Sequence, residues 1–258
     1  AEFDGKTHTL KNFTFASDTE LSADYTGDAG LFHSPNYSAA ASYTENILTL
    51  GGRCGSKSFS AREVVEKFPA LIHIVDAEGA GIVGEGGSVI DGCNSYDEND
   101  WEKRGAYGIS AIRSDNLRFS GYEFRNCGNF AHWVRRSRNL TFERIRVEGG
   151  HDGIHMRGCD DVRITDCVLH TGDDCIAGFD NRNLHVRRCE LNTPCQCVRI
   201  GGKSILVEDC AFWGPGVHPH RCTLGPDVLR AGLEPAGKGR RETLAAVLYY
   251  CQDDDVSR

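Results

Sequence analysis

Three aspartates cluster in the sequence: Asp173 and Asp174 are adjacent, and Asp152 lies a short distance before them. If the fold brings them together, like charges will raise the pKa of at least one carboxyl group. A protonated carboxyl group beside an ionised carboxylate is the pair that general acid–base catalysis uses near neutral pH. In glycoside hydrolysis the acid protonates the leaving oxygen, and the carboxylate activates water or attacks the sugar. The aspartates therefore predict catalysis of this kind.

Residues near these aspartates are candidates for binding a substrate. Arg199 could hold a sugar carboxylate in a bidentate pair, and aromatic rings could stack on sugars. The candidate substrate-binding residues are Arg199, His151, His155, Gln196, Lys203 and Trp133. Simpler explanations stay open, since Gly-Asp-Asp often marks a solvated turn, Arg199 could serve stability alone and the histidines could be ordinary surface residues. Three carboxylates also suit Ca²⁺, but we expect no metal and no other cofactor.

The elements that position these residues repeat along the chain. Between Ser114 and His220 the sequence realigns with itself at a fixed interval, and apolar residues recur at equivalent positions in five segments. Two of these positions read Leu117, Leu140, Val162, Leu184, Ile205 and Phe119, Phe142, Ile164, Val186, Val207. A period of about 22 residues is typical of a solenoid in which each coil stacks on the previous one.

Within each coil apolar and polar residues alternate, which predicts β-strands. Between the strands a bend position reads Asn116, Asn139, Asp161, Asn183 and Ser204, and such residues tolerate the left-handed backbone conformation of tight turns. Three short strands per coil predict an all-β, right-handed, single-stranded parallel β-helix. Asp152 would then lie one coil below Asp174, and His132, His155 and Arg199 would face outwards beside them.

Several of the twelve cysteines follow the same repeat. Cys167, Cys189 and Cys210 would form one interior stack, and Cys175 and Cys197 another. We expect them to pack as small apolar residues, although the spacing between stacked coils would also allow disulfide bonds.

We divide the chain into a capping segment of strands and a short helix, residues 1–70, and a parallel β-helix domain, residues 71–258. The capping-box pattern from Ser60 predicts a helix over Ala61 to Phe68, which would cover the open first coil. Leu71 to Ile74 and Ser88 to Ile90 would form irregular first coils, and Leu244 to Tyr250 a further strand. We expect coils or a partner beyond Arg258, because a solenoid needs a cap.

The composition limits the partners. The chain has 258 residues and a formal net charge of −8, which suits nucleic acids poorly. No apolar run approaches the ~18 residues of a membrane span. Ala1 to Thr9 lack the features of a secretory signal. We therefore expect no nucleic acid and no membrane; a cytoplasmic location is slightly favoured over secretion, and the oligomeric state stays unknown.

Two motifs resemble the polygalacturonases, glycoside hydrolase family 28 of the pectin lyase-like superfamily. They are Gly-His-Asp-Gly-Ile-His-Met from Gly150 and Thr-Gly-Asp-Asp-Cys-Ile-Ala from Thr171. The family carries Asn-Thr-Asp-Gly-Ile and, one coil later, Asp-Asp-Cys-Ile-Ala. This resemblance covers about Gly105 to His220 and implies a parallel β-helix that hydrolyses glycosidic bonds with inversion. It implies that Asp173 is the general acid and that Asp152 and Asp174 activate the water.

The sequence departs from the family at other positions. Gln196, within Cys195-Gln196-Cys197, stands where the family has the histidine of Gly-His-Gly, and His151 stands where the family has threonine. Arg199 comes one coil early for the family's Arg-Ile-Lys. Because the three aspartates of the family motif are present, we still expect a glycosidase, acting on a uronic-acid-containing, pectin-like poly- or oligosaccharide. The alternatives are a polysaccharide lyase or epimerase on the same fold and a non-catalytic glycan-binding β-helix.

Overall fold

The structure is a computed structural model. It describes residues 70–94, 105–220 and 241–249 in full, and only the backbone of residues 3–5, 8–10 and 13–16. These residues form strands, turns and bends and include no helix. The strands are β1 Phe3–Gly5, β2 His8–Leu10, β3 Phe13–Ala16, β4 Ala70–Val75, β5 Gly81–Gly84, β6 Val89–Asp91, β7 Tyr107–Ile112, β8 Leu117–Ser120, β9 Glu123–Arg125, β10 His132–Arg135, β11 Arg138–Glu143, β12 Arg146–Glu148, β13 Ile154–Arg157, β14 Asp160–Thr165, β15 Val168–His170, β16 Ile176–Arg187, β17 Glu190–Asn192, β18 Gln196–Glu208, β19 Ala211–Trp213 and β20 Ala245–Tyr249.

The strands stack as a parallel β-solenoid, as the repeat predicts. Each full coil contributes three strands, for example β10, β11 and β12, and each strand pairs in parallel with its equivalent in the next coil. The strands β16 and β18 continue without a break through one corner and so join two faces of the coil. The predicted register is confirmed, because Leu140 pairs with Leu117 and Val162, and Leu184 pairs with Val162 and Ile205.

The corners between strands are turns with a left-handed backbone. The predicted bend residues all have positive φ angles, between 50° and 57°. A second corner also has positive φ, and it follows directly after β8, β11, β14, β16 and β18: its residues are Gly121, Arg144, Asp166, Arg188 and Asp209. Short polar side chains near the first corner bond to the adjacent coil, since Asn183 Nδ2 donates to Asp160 Oδ1 at 2.8 Å.

One apolar core runs through all the coils. Phe119 stacks on Phe142 with ring centroids 4.9 Å apart, and the cysteine stacks pack beside them as predicted. The described cysteines form no disulfide bonds with one another.

The expectation that His132 faces outwards is wrong. His132 pairs with Ile109 and Ile154, is fully buried and forms a 2.7 Å hydrogen bond with Tyr122 Oη. The outward position in this strand belongs to Trp133, which pairs with His155. Because side chains alternate in a strand, an error of one residue in the alignment moved the histidine to the opposite face.

The first described coil pairs in the same parallel way as the later coils but is longer than the repeat, since Ile72 pairs with Ile109 whereas Ile109 pairs with His132. Its length therefore departs from the repeat, as expected for the first coils. The strands β4, β5 and β6 pair in parallel with β7, β8 and β9. Two strands from the N-terminal segment pair with this coil: β3 pairs antiparallel with β5, and β2 pairs antiparallel with β6. The predicted helix over Ala61 to Phe68 lies outside the described residues, and the boundary at residues 70 and 71 stays a prediction.

At the other end, β20 confirms the strand predicted from Leu244. It pairs in parallel with the first part of β18 and continues the same stack. None of the described residues lies in a helix long and apolar enough to cross a bilayer.

Candidate active site

The three aspartates meet at the bend that precedes the third strand of each coil. Backbone hydrogen bonds connect successive bends: Gly153 N–H donates to the Asp174 carbonyl at 3.0 Å, and Cys175 N–H to the Gln196 carbonyl at 3.2 Å. Asp152, Asp174 and Gln196 thus occupy equivalent positions in three neighbouring coils. The side chains of Asp152, Asp173 and Asp174 each place one carboxylate oxygen within 4.8 Å of the others. One water molecule that makes hydrogen bonds of about 2.8 Å can bridge oxygens ~5 Å apart.

Asp174 lies beside a cation and a second carboxylate. Its Oδ2 accepts a hydrogen bond from Arg199 Nε, and its Oδ1 accepts one from Gln196 N–H at 3.1 Å. Burial, helped by the charge of Asp173, raises the pKa of Asp174 to about 6, although Arg199 opposes the shift. Asp174 can therefore change its protonation state at mildly acidic pH.

Asp152 is held by a histidine. His155 Nδ1 lies 2.6 Å from Asp152 Oδ2, and both side chains are at most 2% exposed. The imidazole of His155 stacks on Phe130 with centroids 4.6 Å apart and planes nearly parallel. Burial lowers the pKa of His155 well below its usual value, and Arg135, Arg199 and Arg157 add to this effect. We therefore assign a neutral imidazole that donates from Nδ1 to the carboxyl group of Asp152.

Asp173 lies in a turn held by hydrogen bonds, and the residue is only half-buried. Its backbone carbonyl accepts hydrogen bonds from the hydroxyl groups of Thr171, at 2.6 Å, and Thr193. Its Oδ1 accepts Asp174 N–H at 3.1 Å. Of the three aspartates, Asp152 and Asp174 are buried and Asp173 is half-buried. Asp173 is thus the carboxyl group that a substrate can reach most easily.

The predicted substrate-binding residues divide into two groups. Arg199 has 27% of its side chain exposed and lies in the site through its bond to Asp174. Gln196 is half-buried and reaches the site through its backbone N–H. These two residues and the carboxylates form a common surface.

The other candidates are buried or displaced. Trp133 is 2% exposed, stacks on Tyr107 at 4.5 Å and so presents no open ring to a sugar. His151 and His155 are equally buried. Lys203 is exposed but lies past the corner at Gly202, where it pairs with Arg182 on another face. The outward side of β10 and β13 is covered, which the alternation of residues in the sequence does not reveal.

Two further residues of the site were not predicted. Thr193 ties its bend to Asp173, and it lies one repeat after Thr171, so the repeat could have identified it. His220, which follows more than two coils after Asp173, brings a ring nitrogen close to Asp173 and Cys195, with donor atoms of all three within 4.8 Å of one another. The repeat that separates Asp173 from Cys195 leads next to Val217, so it brings this segment near the site but does not single out His220. Within the described part of the chain, two sets of donor groups are suited to a metal: Asp152, Asp173, Asp174 and, separately, Asp173, Cys195, His220.

Comparisons with curated proteins confirm the resemblance to polygalacturonases. The chain is 34% identical to an exopolygalacturonase of Oenothera organensis over 157 residues, covering 54% of this chain and 41% of that protein. It is 28% identical to a probable polygalacturonase of Arabidopsis thaliana over 161 residues, covering 55% of this chain and 34% of that protein. The chain thus spans less than half the length of these relatives.

A comparison with solved structures gave no significant match. A family model described as a right handed beta helix region matches residues 72–212, which is more than half of the chain. This range begins in the first described coil and ends in β19, and it contains the three aspartates and Arg199. The chain therefore belongs to the right-handed beta helix family.

Proposed function

We propose that this chain carries the acid–base site of a glycoside hydrolase that cleaves a uronic-acid-containing, pectin-like poly- or oligosaccharide. The observation that carries the proposal is the group of three carboxylates within 4.8 Å in three unlike environments. Asp152 is hydrogen-bonded to His155, Asp174 has a pKa of about 6 beside Arg199, and Asp173 is only half-buried. The curated relatives named as polygalacturonases support the same chemistry.

The environments of the three aspartates suggest which one protonates the leaving oxygen and which two bind the attacking water. Asp173, the least buried of the three, gives its proton to the leaving oxygen while the bond from that oxygen to the anomeric carbon breaks. A water molecule bound between Asp152 and Asp174 attacks the anomeric carbon from the other side, and its proton passes to one of these carboxylates. The sugar is released with inverted configuration, because a single displacement occurs and no covalent intermediate forms.

The short distance between the carboxylates alone would favour a retaining enzyme, in which one of them attacks the sugar. The burial of the two candidate nucleophiles opposes that mechanism. Asp152 is bound to His155 and Asp174 to Arg199, and both carboxylates are almost fully buried. A small water molecule can reach them more easily than the anomeric carbon of a sugar ring, and we therefore propose inversion.

Arg199 is the residue proposed to select a uronic acid. Within the described residues, Arg199 donates a side-chain hydrogen bond from Nε only, to Asp174. Its side chain is partly exposed. The two terminal nitrogens of the guanidinium group can therefore form a bidentate pair with a sugar carboxylate. Gln196, whose backbone N–H binds the other oxygen of Asp174, adds a side-chain amide that could bind a neutral hydroxyl group.

A lyase is the second candidate, since three carboxylates could also hold a cation. A lyase needs a base that removes a proton next to the uronate carboxylate. Arg199 is poorly suited to that role, because its guanidinium group is paired with Asp174 and stays charged. His155 is buried against Asp152 and cannot reach a polysaccharide. These observations favour hydrolysis.

The test is a panel of oligogalacturonides and rhamnogalacturonan fragments, assayed for new reducing ends and for the ultraviolet absorbance of an unsaturated uronate. We expect reducing ends without absorbance. Asp173→Asn should lower the rate at least about a hundredfold. Asp161→Asn is the matched control, because Asn occupies the equivalent corner in neighbouring coils. It should leave the rate unchanged.

Three results would contradict the proposal. Absorbance of the product would establish a lyase. Undiminished activity of Asp173→Asn would show that Asp173 is not the general acid. Absence of any product from a folded chain would rule out pectin-like substrates of this panel. Nuclear magnetic resonance of the first product tests the inversion, because the configuration of the new anomeric centre is visible before it mutarotates.

A further inference from the structure

A second set of donor groups lies on the outer side of the aspartates. Asp173 comes from the bend before β16, Cys195 from the bend before β18, and His220 from the segment after β19. One oxygen, one sulfur and one ring nitrogen of these residues lie within 4.8 Å of one another. We propose that Asp173, Cys195 and His220 form a binding site for a divalent transition metal that prefers sulfur and nitrogen ligands, with Zn²⁺ as the expected ion.

The first two donors are fixed relative to each other by one buried hydroxyl group. Thr193 Oγ1 accepts Cys195 N–H at 3.0 Å and donates to the carbonyl of Asp173. Thr193 is fully buried, so these bonds hold the two bends together in a dry environment. The carboxylate and the thiol are thus brought together before any ion binds, which lowers the entropic cost of binding.

The segment that carries His220 is fixed in the same way. The side chain of Asn192, which is fully buried, donates to the carbonyls of Trp213 and Pro215 at 2.9 and 3.0 Å. It also accepts Val217 N–H at 2.6 Å. His218 forms a 3.0 Å hydrogen bond with Glu148. Residues 213–218 are therefore attached to the solenoid in two places, and His220 follows directly after them.

The kinds of donor select the ion. A thiolate, an imidazole and a carboxylate are common ligands of Zn²⁺, whereas Ca²⁺ takes six to eight oxygen ligands. Three protein ligands leave the fourth tetrahedral position to water. Cys195 is 8% exposed, so a bound ion would lie at the margin of the site and not in the core. The acidic group Asp152, Asp173, Asp174 offers oxygen alone and does not have this preference.

The site has a consequence for catalysis that rests on the proposed function. Asp173 belongs both to this set and to the catalytic group. A carboxylate bound to Zn²⁺ cannot carry the proton that the leaving oxygen needs. Zinc should therefore inhibit hydrolysis, and a chelator should restore it.

The metal site can be tested without any glycan. Co²⁺ is added to the reduced, metal-free full chain, and the absorption band of a thiolate bound to cobalt is recorded. We expect one Co²⁺ per chain, displaced by Zn²⁺. Cys195→Ser should abolish the band, and His220→Ala should weaken Co²⁺ binding at least about tenfold. Cys93→Ser, at an exposed cysteine of another coil, is the matched control and should keep the band.

The outcomes separate the two proposals. Absence of a thiolate–cobalt band in the folded wild-type chain overturns the metal site, whatever the activity. Persistence of the band in Cys195→Ser overturns this choice of ligands. If the band forms but zinc leaves hydrolysis unchanged, the inhibitory role is wrong. Zinc inhibition that disappears in Cys195→Ser supports both parts, while a silent glycan panel contradicts the proposed function alone and leaves the cobalt result standing.

Discussion

The individual residues of the site show how one side-chain type takes several roles. Asp152, Asp173 and Asp174 are chemically identical, and their neighbours make them different. His155 donates to Asp152, Arg199 pairs with Asp174, and Asp173 is only half-buried. Different environments push the pKa values of neighbouring carboxyl groups apart, and this difference allows one group to act as an acid and another as a base.

The bond from His155 to Asp152 leads to a prediction about positioning. His155→Phe removes the donor. It should lower kcat about 10- to 100-fold with little change in KM, because Asp152, which binds the attacking water, loses its orientation while the groups that contact the sugar stay in place. His155→Asn keeps an N–H group near the position of Nδ1 and should recover most of the rate. Steady-state kinetics on a cleaved glycan measures both, and thermal melting verifies the fold. Equal loss in both variants would contradict a role through this hydrogen bond.

Among the strands, β16 depends on a glycine next to the site. Gly178 has a φ of 134°, a conformation that other residues rarely adopt. A Cβ atom at this position would overlap the backbone carbonyl of Met156 in the adjacent strand. The parallel pairing of β16 with β18 also shifts between Gly178 and Asn181. The glycine therefore lets the strand turn the corner while it stays hydrogen-bonded to its neighbours.

Gly178→Ala should consequently destabilise the chain by about 3 kcal/mol or more, since strain and a backbone clash combine. The control is Gly86→Ala, where φ is ordinary and no atom lies within 4 Å of the new methyl group. That change should stay within about 0.5 kcal/mol of the wild type. Urea unfolding measures both. Similar midpoints for the two variants would show that β16 can rearrange around the added Cβ.

In the molecule as a whole, one continuous core includes an ionisable group. His132 lies inside the solenoid among Phe119, Phe124 and Phe142. Burial lowers its pKa to about 4, although a hydrogen bond with the Gly153 carbonyl opposes the shift. The core therefore contains a histidine that is neutral near neutral pH and whose protonation destabilises the folded state.

This histidine should make the molecule sensitive to acid. Its ordinary pKa is 6.5, so between pH 6.5 and 4 the unfolded chain binds a proton that the folded chain does not. The contribution of His132 to the stability should thus fall by about 3 kcal/mol as the pH drops through this window, whereas Asp174, with its raised pKa, contributes in the opposite direction in wild type and variant alike. His132→Leu should lose less stability over the same range, although Tyr122 loses its partner at every pH. Urea unfolding at several pH values measures the difference.

The control for this prediction is His185→Leu, a change at a partly exposed position of β16. It should follow the pH dependence of the wild type. If His132→Leu lost as much stability on acidification as the wild type, another group would be responsible for the acid sensitivity.

Much of the fold and the place of the aspartates in it follow from the amino-acid sequence. The repeat set the register between coils, and alternation within each coil set the strands. Because equivalent positions of stacked coils lie about 4.8 Å apart, the repeat alone placed Asp152 beside Asp174. Residues such as Asn139 and Asn183 also predicted the corners, since their type matches the left-handed backbone found there.

The accessibility of side chains and the contacts between distant segments depend on the folded chain. Trp133 and His155 occupy an outward position of their strands and are nevertheless buried. A periodic pattern shows which residues share a face, and what covers that face depends on other parts of the chain. His220 lies close to Asp173 because Asn192 holds the turn before it; the repeat leads only to Val217 nearby and does not specify this contact. Repetition in a sequence reports contacts between equivalent positions, while contacts between non-equivalent positions arise only when the chain has folded.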